Sequence, residues 1–124
     1  MSNQTPATVL LWASQDEGQF FERKSAYEQS RGGQHNRKAA EIAIDIVETL
    51  SAMANADGGE LIIGIEDSGE ISGVPHPADK LALLRNAPSS QNYVNPPLRA
   101  RYEEVATGEG KTLLYFRVEW SPEV

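Results

Sequence analysis

Between Arg37 and Asn55 the apolar positions Ala39, Ile42, Ala43, Ile46, Leu50 and Met53 recur at steps of three and four, and Glu41, Asp45 and Glu48 fall between them. One apolar stripe with a polar back is the signature of an amphipathic helix packed on a core. "NADGG" follows, where Asn and Gly supply the left-handed backbone that ends a helix. Upstream, "GQFFERKSA" alternates, placing Phe20, Glu22 and Lys24 on one face of a strand at residues 19–25 and Phe21, Arg23 and Ser25 on the other. Thr5-Pro6 reads as a helix cap for "ATVLLWAS", and "YEQSRGGQHN", without either period, reads as a flexible loop. Downstream, "ELIIGI" predicts a buried strand, "EDSG" a turn and "EISGV" a short returning strand. "HPADKLALLRNA" predicts a second main helix and "PSSQNYVNPP" a loop. "LRARYEEVA" and "KTLLYFRVEW" form an antiparallel pair joined by "TGEG", with Leu114, Phe116, Val118 and Trp120 on one face. The order α-β-α-β-β-α-β-β predicts an α+β fold: a mixed, largely antiparallel sheet packed by two main helices.

Composition narrows the classes. A chain of 124 residues fits one domain, spanning 1–124, and the abrupt end at "SPEV" suggests the N-terminal part of a longer protein. No cysteine is present, which excludes disulfides, zinc–thiolate sites and thiol catalysis. No apolar run approaches the roughly 20 residues that span a bilayer, and no basic, then apolar leader opens the chain, so a cytoplasmic protein without membrane contact is expected. Net charge is −7, yet Arg23, Lys24, Arg31, Arg37 and Lys38 against Glu28 give the segment 23–38 a charge of +4 and leave −11 for the remainder. A mean charge hides that asymmetry.

Three patterns carry possible chemistry. The glycines of "NADGGELIIG" follow a helix and precede a strand, the reverse of a phosphate-binding loop, and no Gly-Lys-Ser/Thr occurs. They read as architecture, letting helix, buried strand and turn succeed one another quickly. The carboxylates of Glu17, Glu22 and Asp67 converge if the 19–25 strand lies beside the 60–65 strand; three hard oxygen donors suit Mg²⁺ or Mn²⁺, and such an ion activates water at a phosphodiester. Lys24 shares a strand face with Glu22, an E-x-K arrangement found in many metal-dependent nucleases. The third pattern is the basic stretch Arg31, His35, Arg37 and Lys38, leading through a glycine-bearing segment to a helix N-terminus, a setting that attracts phosphate. His35 and His76 lack the spacing of a ligand pair.

"EGQFFERK" at Glu17 to Lys24, followed by "LSAMANADGGELIIGIEDSGEISGV" at residues 50–74, resembles the Schlafen-type AlbA-like domain. The resemblance extends through Asn95-Pro96-Pro97 to the final strand at Leu113 to Val118, with Arg23 where the family usually has phenylalanine and Ala52-Met53 in place of Ala-Phe. It implies a DNA-binding domain of the kind found at the N-terminus of bacterial transcriptional regulators, often ahead of ATPase-like and winged-helix regions. It also implies a metal-dependent RNA-cleaving triad in the vertebrate members, carried here by Glu17, Glu22 and Asp67 with Lys24 beside them. Those nucleases use two lobes, so a homodimer would have to supply the second. The expectations are a nucleic-acid-binding module contacting phosphates through Arg23, Lys24, Arg31, His35, Arg37 and Lys38; a Mg²⁺- or Mn²⁺-dependent nuclease; and a dimerisation module.

Overall fold

A computed structural model describes residues 7–14, 20–30 and 32–121. Along the chain run α1 (Ala7–Ser14), β1 (Phe21–Lys24), β2 (Tyr27–Ser30), β3 (Gly33–Asn36), α2 (Ala39–Asn55), β4 (Gly59–Ile63), α3 (Ala78–Asn86), a 3-10 turn (Ala87–Ser89), β5 (Ala100–Ala106) and β6 (Thr112–Val118). β1, β4, β6 and β5 lie in that order in one sheet, with β1 and β4 parallel and the other pairs antiparallel. The fold is α+β, with a mixed and largely antiparallel sheet, as the periodicity predicts. No helix among the described residues is long and apolar enough to cross a membrane.

The sheet buries both faces, which explains why "ELIIGI" is a continuous apolar run. Leu61 and Ile63 join Leu114, Phe116 and Val118 of β6 on the face covered by Ile42, Ile46, Leu50 and Met53 of α2 and by Leu84 of α3. Ile62 joins Phe21, Ile65 and Leu113 on the opposite face, beneath Val9 and Trp12 of α1. Trp12 stacks on Tyr115 with ring centroids 5.2 Å apart and planes 10° from parallel. The Tyr115 hydroxyl donates to Glu60 at 2.5 Å; burial and that hydrogen bond push its pKa up to about 12.

Several elements differ from the sequence reading. "YEQSRGGQHN" is not a loop: β2 and β3 form an antiparallel ribbon separate from the main sheet. "EISGV" contributes a single bridge, Ile71 to Ile65, rather than a strand. α2 begins at Ala39, and Trp120 lies beyond β6 and is 59% exposed, outside the core. The Thr5-Pro6 cap lies outside the described residues.

Candidate nucleic-acid interface

Parallel pairing of β1 with β4 sets Phe21 opposite Glu60 and Lys24 opposite Ile63, so both strands end at the same edge of the molecule. There Gly64, at φ +116°, turns the chain: its N–H donates to the Lys24 carbonyl at 2.8 Å, and a Cβ would lie 2.6 Å from Leu113. The next residues fold tightly, with Gly69 N–H donating to Glu66 O at 2.8 Å and Glu66 N–H to Glu70 O at 2.9 Å. Asp67 sits exposed on that turn, beside the end of β1. The spatial condition that sequence reasoning imposed, the FERK strand next to the acidic turn, is therefore met by the backbone.

Side chains divide by the alternation of β1. Glu22 and Lys24 face α2. The Lys24 ammonium lies 3.2 Å from Glu22 and 3.3 Å from Asp45. Burial acts to lower the Lys24 pKa, but the charges of Asp45 and Glu22 outweigh it and hold the amine above its usual value. The second Asp45 oxygen takes the Arg37 guanidinium at 3.1 Å. Arg37 also donates to Ser25 O at 3.0 Å, and its carbonyl meets His76 Nε2 at 2.6 Å. Arg23 faces the other way. It is 8% exposed, and its guanidinium donates to Trp12 O at 3.2 Å, Ala13 O at 2.8 Å and Asp67 O at 3.3 Å. The expected phosphate contact at Arg23 does not match this burial. The side chain instead gathers the end of α1, a natural seat for a cation, onto the Asp67 turn.

Two adjoining clefts result. One, of about 450 Å³, is lined by Glu22, Lys24, Asp45 and Glu48. The other, of about 320 Å³, is lined by Lys24, Tyr27, Arg37, Asp45 and Asp67 among others. Glu22 thus lines the first and Asp67 the second, with Lys24 and Asp45 common to both. Among the described residues no three His, Asp or Glu side chains are grouped to hold a metal ion, and the Lys24 ammonium already sits between the Glu22 and Asp45 carboxylates. Two of the three expected ligands, Glu22 and Asp67, are among the described residues. Glu17, the third expected ligand, lies outside them, as does Arg31.

The ribbon rises from this edge. Its root is fixed by the Arg37 N–H donating to Ala26 O at 2.9 Å and the Tyr27 N–H to Ser25 Oγ at 2.9 Å. Beyond the root, Glu28, Gln29 and all four residues of β3, His35 included, are exposed. Lys38, also exposed, immediately precedes α2 at the ribbon's foot.

The model of the Schlafen, AlbA_2 family matches residues 17–124. The chain belongs to the Schlafen AlbA_2 family. A search of the curated proteins finds no significant match. The family match covers the β1 strand, the ribbon, α2 and the Asp67 turn, and membership links this Schlafen AlbA_2 chain to nucleic-acid-related function. Sequence reasoning missed Asp45 and His76. Asp45 lies on the polar side of the α2 pattern, and only its next neighbour Ile46, in the buried stripe, marks it as bordering the core.

Proposed function

We propose that the chain is the DNA-binding module of a transcriptional regulator and that the β2–β3 ribbon is its contact element. One observation carries the reading: the segment 23–38, with a sequence charge of +4 in a chain of −7, brackets a separate two-stranded ribbon at 27–36 whose polar side chains beyond the root are exposed and whose own formal charge is zero. An antiparallel ribbon has the width to enter a DNA groove, and cations at its foot meet the phosphates on either side. The acidic remainder of the molecule repels polyphosphate, which concentrates contact on this one projection. Lys38 serves as an outer phosphate contact. Lys24 and Arg37, engaged by Asp45, set the electrostatic ground beneath the ribbon and anchor it.

Equilibrium binding to duplex DNA across a salt series tests this. Affinity falls linearly with the logarithm of salt concentration, and Lys38→Ala reduces the slope by about 1 for every sequence tried. Absence of binding at low salt, or a slope of zero, contradicts the reading.

A further inference from the structure

We infer that the ribbon reads base edges in the major groove of duplex DNA through one amide-rich face, with Gln29, Gln34 and Asn36 as the residues that set sequence preference for adenine. The inference rests on the DNA-binding reading above and goes beyond it in naming the groove, the base and the residues.

The register decides which side chains act together. Tyr27 pairs with Asn36 and Gln29 with Gln34, whereas Glu28 pairs with His35. Directly opposed residues in an antiparallel pair share a face, and successive residues alternate. One face therefore carries Tyr27, Gln29, Gln34 and Asn36, and the other carries Glu28 and His35. The first face holds three carboxamides and no charge, and its Gln29, Gln34 and Asn36 are all exposed.

A carboxamide offers a donor and an acceptor side by side. That arrangement matches adenine in the major groove, whose N6 amino group donates and whose N7 accepts; Asn and Gln pair with it in bidentate fashion. The minor groove shows only acceptors at A·T pairs, so a carboxamide cannot pair there through its donor and its acceptor together. Each strand of four residues is about 13 Å long at 3.3 Å per residue, enough to reach the floor of a groove about 8.5 Å deep. Phosphate chemistry lies at the foot, where Lys38 stands near Asn36, and Gln29 and Gln34 lie two residues farther out along the ribbon, which is the order in which a groove presents backbone and bases. The root is fixed before any ligand arrives. Arg37 ties it to Ser25 and Asp45, and the Arg37 carbonyl meets His76, so the backbone at the root needs little ordering on binding.

Selection of bound sites from random duplexes, followed by Gln29→Ala, Gln34→Ala and Asn36→Ala on the selected site, tests the inference. All three side chains are exposed, so the variants keep their fold, checked by circular dichroism. The selected sites share adenines. Gln34→Ala weakens binding to them by roughly 5- to 150-fold and leaves unrelated duplexes and the salt slope unchanged. Replacing the shared adenines by 7-deazaadenine produces a similar loss, and distamycin, a minor-groove ligand, does not compete. Salt-dependent binding without sequence enrichment, displacement by distamycin, tighter binding to single strands, or insensitivity to the amide variants each overturns the major-groove inference while the DNA-binding reading stands. Failure to bind any DNA overturns both.

Discussion

Arg23 shows how little a residue's charge says about its use. In a basic segment it reads as a phosphate contact, yet the alternation of "FERK" already places it beside Phe21, and Phe21 is buried. Its three carbonyl partners belong to α1 and the Asp67 turn. Hydrogen bonds from a charged donor are worth more than neutral ones, and their removal strands buried acceptors. Arg23→Met is expected to lower stability by about 2–4 kcal/mol, read as a fall in the urea midpoint at constant slope. An unchanged midpoint would show that the clamp carries no stability. Asp67, by contrast, was legible: the "EDSG" turn after an apolar run predicts its position, and the parallel β1–β4 pairing puts it beside the FERK strand.

At the scale of elements, legibility follows burial. α2 buries one face against the core, β4 buries both, and β6 buries Leu114, Phe116 and Val118 on one face and Leu113 on the other, and their sequences carry the matching apolar positions. The ribbon buries almost nothing beyond its root, so no core face imposes a two-residue period on "YEQSRGGQHN". A two-stranded ribbon alone is marginal in water, and the structure compensates at the root through side chains far apart in sequence. Asp45 is the center of that root, holding Lys24 on one oxygen and Arg37 on the other. Asp45→Asn should leave α2 and the sheet intact while speeding amide exchange at Arg37 about tenfold, the equivalent of about 1.4 kcal/mol. It should also lower the Lys24 pKa, since Asp45 is the largest of the influences raising it. Unchanged exchange at Arg37 would mean that the backbone bonds alone hold the ribbon.

Across the whole molecule, the chain leaves β1, makes the ribbon, crosses the sheet as α2 and returns as β4 parallel to β1. That path sets an ion-paired root, an acidic turn and an exposed ribbon at one edge of an otherwise acidic body. Length, class and charge asymmetry were readable from the sequence; the adjacency of Lys24, Asp45 and Arg37 was not, because it depends on how α2 lies over β1. Since the ribbon is outside the main sheet, it can be removed without unpairing a core strand. The decisive measurement is duplex DNA binding at low salt by a variant in which residues 28–35 are replaced by a short glycine-rich turn, with the Trp12–Tyr115 stack followed by near-ultraviolet circular dichroism as the check on folding. The account predicts a folded protein that no longer binds DNA. A folded variant that binds as tightly as the parent would contradict it.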